Sequence, residues 1–304
     1  MRIGIGLPIR AGELSGEEIR IWAARADEGP FSSLATLDRV VFPAHEPLIA
    51  LASLVGSTSR IRLLASVIIA PTRETTLLAR QAASLDSLSG GRFSLGVGVG
   101  IRRDDYAATG FAFERRGWRL DEQLPLLRRI WAGTQVVGGV ADRIGVPTTR
   151  ADGPELLIGG YVPAVARRIA AHGDGFMAPG GGAPDQMVAL WRAIEQAWSD
   201  AGRAGRPRWV GSSYVALGPH ADRQAADYIR SAYAFDPALA ERRLRGIPTT
   251  EATVRALIQR HAALGLDELV LRPCAPDLEL ADRLADLVGS APDSEPAQRT
   301  DIEA

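Results

Sequence analysis

Three groups of residues in this 304-residue chain have types and spacings that can do chemistry. Asp38 closes the apolar segment SSLATLD, where a carboxylate at a strand end can contact a cofactor or substrate, or simply cap the following loop. Gly96, Gly98 and Gly100 alternate through LGVGVG, so all three point to one strand face and leave room for a flat ring or for bulky neighbours. Gly159 and Gly160 end another apolar segment, and Pro163 follows at the first turn of a helical pattern. Such a turn offers backbone N–H groups to a phosphate, and it is also the form of an ordinary strand-to-helix turn. A dinucleotide fingerprint needs glycine at 96, 98 and 101; residue 101 is Ile, so that motif is absent.

Composition removes whole classes of chemistry. All 35 basic side chains are arginine, which excludes Schiff-base lysine catalysis and a P-loop lysine. A net charge of -1 provides no field for nucleic acid or an anionic membrane. The lone Cys274 cannot form an internal disulfide, and His45, His172, His220 and His261 lack metal-ligand spacing, so no protein-bound metal is expected. The histidines read as caps or surface groups, with His45 nearest the expected site. No cationic leader opens the sequence and no window approaches the ~20 apolar residues of a membrane span, so a reducing cytoplasmic location is expected.

The elements that must position these residues alternate along the chain. Apolar segments at 3–9, 32–38, 61–70, 92–100, 154–160, 173–178, 208–217 and 267–273 read as eight strands. Helical patterns lie near 15–28, 46–57, 74–88, 115–132, 162–171, 184–203, 221–234, 250–264 and 277–288. A strand, a connector of helical length and another apolar strand, as in 60–100, can only be joined in parallel. Eight such units predict a closed (β/α)8 TIM barrel, one domain over 1–288, with 289–304 as a disordered tail. Two long connectors, 133–153 after strand four and 235–250 after strand seven, are read as insertions over the active-site mouth. Tyr214 in strand seven either lines a pocket or fills the core, and Arg272 ends strand eight on the catalytic face.

The wording of these segments is specific. SRIRL, LLARQAASLDSLSGGRF and LGVGVG closely resemble the luciferase-like family of flavin- and deazaflavin-dependent oxidoreductases, over roughly residues 1–290 and most strongly at 46–132 and 154–178. The resemblance implies a ring across the carboxyl ends of the strands, with cofactor contacts at Asp38, Ser66, Val67, Gly98, Asp104, Gly159, Gly160, Ala164 and Val165. It implies that the phosphate lies on the 159–165 turn, where Tyr161-Val162 is a small insertion relative to the shortest relatives. It places a bulge with a non-prolyl cis peptide at Ser66-Val67. Asp38 and Arg39 occupy the pair that relatives use for catalysis, but Arg39 stands where several carry histidine, as an anion or ring-edge contact or an exposed charge. Arg102, Arg103, Arg115 and Arg116 are read mainly as a solvated face, with a phosphate or acidic tail within reach.

Two enzyme readings follow from the resemblance: a monooxygenase using reduced FMN and O2 on a small organic substrate, or an F420-dependent hydride-transfer oxidoreductase. A third reading is a non-catalytic member serving as a partner subunit. The family likeness also implies a flavin or F420 reductase as a partner and a homodimer. Substrate choice is assigned to the loops 39–46, 101–113, 133–153 and 235–250.

Overall fold

A computed structural model of the chain describes residues 1–8, 14–134, 143–180 and 184–289. Its eight strands are β1 (Arg2–Gly6), β2 (Ser33–Thr36), β3 (Arg62–Ile69), β4 (Phe93–Gly98), β5 (Glu155–Gly159), β6 (Gly175–Met177), β7 (Arg208–Val215) and β8 (Glu268–Pro273). All pair in parallel and in chain order, and β8 returns to β1, closing a barrel. Helices cover the outer face, which is why the strands read as continuous apolar runs rather than alternating ones. The expected (β/α)8 architecture is therefore the one observed.

Side chains two residues apart on a strand share a face, and this period builds the barrel interior in layers. Arg62, Glu155, Arg208 and Glu268 form the layer at the amino ends, where Arg208 joins both carboxylates and Ser33 Oγ donates to Glu268 at 2.5 Å. One step up, Ala35, Leu64, Leu157, Met177, Val210 and Val270 form a dry middle layer. A further step brings Ser66, Gly159, Ser212 and Arg272 to the carboxyl ends. The upper layer, short of bulky apolar side chains, is left open.

The helices are α1 (Gly16–Glu28), α2 (Pro47–Ser53), α3 (Thr75–Leu88), α4 (Arg103–Thr109), α5 (Arg116–Trp131), α6 (Ala164–His172), α7 (Pro184–Asp200), α8 (Ala221–Ala232), α9 (Pro237–Leu244), α10 (Glu251–Ala263) and α11 (Leu278–Gly289). Local chemistry sets their starts: Ser15 and Glu18 form a capping box on α1, and the Glu74 carboxylate accepts from Leu77 N–H at 2.9 Å on α3. Two helices fall in segments read as loops. Gly110, at φ +75°, ends the short α4, while Asp236 caps α9 by accepting from Leu239 N–H at 2.9 Å with Pro237 in its first turn.

The placement expected for 133–153 needs correction. Thr149 donates from its N–H and Oγ1 to Asp86 at 2.7 and 2.8 Å, and Arg150 Nη2 reaches Asp174 at 3.2 Å. Those partners precede β4 and β6, so the described part of this connector lies at the amino ends of the strands, away from the mouth. The reason is directional: a segment entering a strand from a helix lies at the amino end, and only segments leaving strands reach the catalytic face. Of the expected tail, 289–304, Gly289 is the last residue of α11, and 290–304 lie outside the described residues.

Candidate active site

The open upper layer is the floor of a cavity of about 310 Å³, within the usual range for small-molecule sites. Its centre is β3. The pairing of β3 with β4 shifts between Ala65 and Ile68, and the Ser66-Val67 peptide between them is cis. Val67 turns toward the neighbouring strands, where a Cβ on Gly96, Gly98 or Gly159 would come within 3.1, 2.9 and 3.1 Å of its methyls. Gly100 stands in the same relation to Ile69, at 2.9 Å. The alternating glycines thus make room for the β3 bulge, and Val67, Gly98 and Gly159 together form an apolar platform bordering the cavity.

Arg272 crosses the barrel from β8 and donates through Nη2 to both the carbonyl oxygen and Oγ of Ser66, each at 2.8 Å. The guanidinium is buried, at 6% exposure, and no carboxylate pairs with it among the described residues. Burial pushes its pKa down, because a dry interior disfavours an uncompensated charge. Beside it Tyr214 Oη lies 3.3 Å from Tyr233 Oη, and burial holds the Tyr214 phenol well above its ordinary value. Cys274 is buried nearby with its thiol pushed up to about 12, which removes it as a nucleophile.

Asp38 borders the cavity, but its carboxylate is engaged: Oδ2 accepts from Ile69 N–H at 2.8 Å and from Arg73 Nη2 at 2.9 Å. Arg39 also borders it, with its guanidinium donating to the Ala232 carbonyl and stacked over Tyr233 at 4.9 Å. Asp104 pairs with Arg102 at the rim. Its neighbour Asp105 is buried and, unlike Asp104, borders the cavity, accepting from Val40 and Val41 N–H at 3.0 and 2.8 Å. Gly159, Gly160 and Val165 line another part of the wall, whereas Ala164, the first residue of α6, is not among the residues that line it. Arg116 and Arg168 also line the cavity. Arg168 is tied to Asp121 at 2.8 Å, whereas Arg116 has no carboxylate partner and its buried Nε makes no hydrogen bond among the described residues.

Several cavity residues received no role from the sequence. Arg272 is readable by counting two and four residues from Glu268, the inward side of β8, but its partner Ser66 is 206 residues away. Tyr233 and Arg243 give no local signal; Arg243 comes from α9 and donates to the Gly180 carbonyl and, at 3.0 Å, to Tyr161 Oη, bringing the 235–250 segment over the mouth. No helix of the described residues is long and apolar enough to cross a membrane, and no cluster of metal-ligating side chains occurs among them.

Comparison with known proteins agrees with the barrel fold. An uncharacterised protein of Mycobacterium tuberculosis is 34% identical over 168 residues, 53% of this chain and 57% of that protein, so the match spans little more than half of the relative's length. Among solved structures, the monooxygenase RslO1 from Streptomyces bottropensis superposes with a TM-score of 0.74 at 22% identity, covering 94% of this chain and 97% of its own. An F420-dependent secondary alcohol dehydrogenase, in complex with an F420-acetone adduct, gives 0.75 at 16% identity, covering 96% and 99%. At such identities these two likenesses concern the fold. The sequence model of the luciferase-like monooxygenase family matches residues 1–294, and the chain belongs to that family.

Proposed function

We propose that this chain is a flavin-dependent monooxygenase that holds reduced FMN across the barrel mouth and uses O2 on a small organic substrate. The observation that carries this reading is the pairing of an apolar platform, Val67 with Gly98 and Gly159, with a cationic end at Arg116, which borders the cavity without a carboxylate partner among the described residues. A ring bearing a phosphate fits both parts. Val67 and Gly98 would support the ring, while Gly159, Gly160, Val165 and Arg116 would hold the phosphate, the guanidinium adding a charge-assisted bond. When bound, the ring supplies two reducing equivalents.

The chain's own residues then bind, orient and exclude water. The dry layer beneath the platform closes the barrel from below. Asp38 keeps the end of β3 in place through Ile69 and Arg73. Arg39 fastens the loop after β2 to α8, and Arg243 draws α9 across toward Tyr161. By family likeness we include a separate reductase as the source of reduced cofactor, and a homodimer, in the proposal.

A second reading, F420-dependent hydride transfer, is favoured by one feature: Arg39, Arg116, Arg243 and Arg272 border the cavity without carboxylate partners among the described residues, a surplus suited to an acidic tail. Thermal denaturation with each cofactor separates the readings, because a ligand that binds the folded state stabilises it in proportion to ln(1 + [L]/Kd). A rise in Tm with FMN supports the monooxygenase. A rise with F420 alone moves the assignment to the deazaflavin, and no rise with either overturns both.

A further inference from the structure

We propose that the substrate is a planar organic anion, an aryl carboxylate or phenolate, whose charged oxygen is received by Arg272. This deepens the functional reading above and rests on the cavity being the place where cofactor and substrate meet.

The first support is an unpaired buried cation. Arg272 has no carboxylate partner, and only its Nη2 is committed, to Ser66. Nε and Nη1 make no hydrogen bond with any described residue, yet neither is among the fully occluded polar atoms. Arg272 borders the cavity, and these two donors are the ones left to meet a ligand oxygen there. A largely buried arginine without a counter-ion is costly, and an arriving anion supplies the missing partner.

The second support is that the cavity's own carboxylates are engaged elsewhere. Asp38 Oδ2 accepts from Ile69 N–H at 2.8 Å and from Arg73 at 2.9 Å, and Asp105 Oδ1 accepts from two backbone N–H groups. Neither has a contact with Arg272.

The third is a division of labour between cations. Arg116, on α5, stands with Gly160 and Val165 at the end suited to a cofactor phosphate. Arg272 rises from β8 beside Tyr214, in the half bounded by β3, β7 and β8. Of the cavity's unpaired cations, Arg116 is matched by a cofactor phosphate, which leaves Arg272 without an anion of its own. The wall beside Arg272 is aromatic: Tyr214 and Tyr233 meet edge to face at 6.4 Å, and Arg39 and Arg243 stack over Tyr233 at 4.9 and 4.8 Å. A flat, delocalised anion matches that wall better than a flexible aliphatic one.

Benzoate and benzamide test the inference, since they share shape and differ in charge. Calorimetric titration is run on the full chain, with and without FMN, alongside Arg272→Gln, Arg272→Lys and Arg243→Gln. Benzoate is expected to bind the parent chain about tenfold or more tighter than benzamide, because a charge-assisted bond replaces a neutral one. Arg272→Gln is expected to abolish that preference in a chain that still binds FMN, whereas Arg272→Lys retains part of it.

Equal affinity for the two probes, no binding of either at millimolar concentration, or full benzoate preference in a folded Arg272→Gln chain overturns the assignment. So does loss of the preference in Arg243→Gln alone. If Arg272→Gln does not fold, the parent chain's benzoate-to-benzamide ratio and the Arg272→Lys result decide. The cofactor reading fails separately. Benzoate preference in a chain that binds neither FMN nor F420 supports the anion site and refutes the cofactor, and ring binding without benzoate preference does the reverse.

Discussion

Asp38 presents a single carboxylate oxygen, Oδ2, to both the backbone N–H of Ile69, at 2.8 Å, and Nη2 of Arg73, at 2.9 Å. The contact ties the end of β2 to the end of β3, beside the platform, so the acidic residue that looks catalytic in sequence has a positioning task. Burial pushes the Asp38 carboxyl up, and Arg73 and the Ile69 N–H offset only part of that rise. Arg73 has a second partner in Glu46, at 2.8 Å.

These facts predict unequal outcomes at one position. Asp38→Ala strands the Ile69 N–H and is expected to cost about 1–3 kcal/mol. Asp38→Asn keeps an acceptor and leaves Arg73 paired with Glu46, so its cost should stay within about 1 kcal/mol. Urea denaturation of both variants measures this, and a larger loss for Asn than for Ala would contradict the positioning role.

Gly98 tests the platform. A Cβ at this position would lie 2.9 Å from Val67 Cγ2, so Gly98→Ala must push the Val67 side chain away from its place. Overpacking of this kind costs about 1–3 kcal/mol, and ring affinity is expected to fall about tenfold or more. Gly56→Ala, with nothing within 4 Å, is the control that should change neither. Fluorescence titration with FMN reads the affinity.

Arg116 discriminates between ring and phosphate. Arg116→Ala is expected to weaken FMN binding about tenfold while leaving riboflavin, which lacks the phosphate, unchanged. An equal loss for both ligands would move the phosphate away from Arg116.

Acid stability depends on the opposite end of the barrel. Burial alone would push Asp174 up, but Arg128, the Leu156 N–H and Arg150 hold its carboxyl below the usual value. Glu155 behaves alike: burial opposes, and Arg208 and Ser94 prevail. Both carboxyls therefore bind protons more weakly folded than unfolded. Their stabilisation is complete above the unfolded values, about 4, and is lost as pH falls through the lower folded values. Tm should accordingly drop steeply below about pH 4, and Asp174→Asn should flatten that decline while lowering Tm at neutral pH.

What the sequence determined by itself is the scaffold. Eight apolar segments of strand length, separated by helical periodicities, leave a parallel barrel as the way to cover both faces of every strand. The Asp236-Pro237 start of α9, a cap followed by a first-turn proline, lay in a segment read as a connector. Family wording pointed to the Ser66-Val67 bulge and to the 159–165 turn.

Tertiary structure decided the rest. The glycines at 96, 98 and 159 face one side chain, Val67, only because the β3 bulge and the strand register bring it there. Asp105 rather than Asp104 borders the cavity because a helical turn aims adjacent residues about 100° apart. Arg272 and Ser66 are 206 residues apart, and they meet because strands eight and three face each other across the closed barrel. Local propensity is set by neighbours in the chain, whereas a site at the barrel mouth is assembled from the ends of many strands. Its contacts are fixed by register and closure, which no single segment contains.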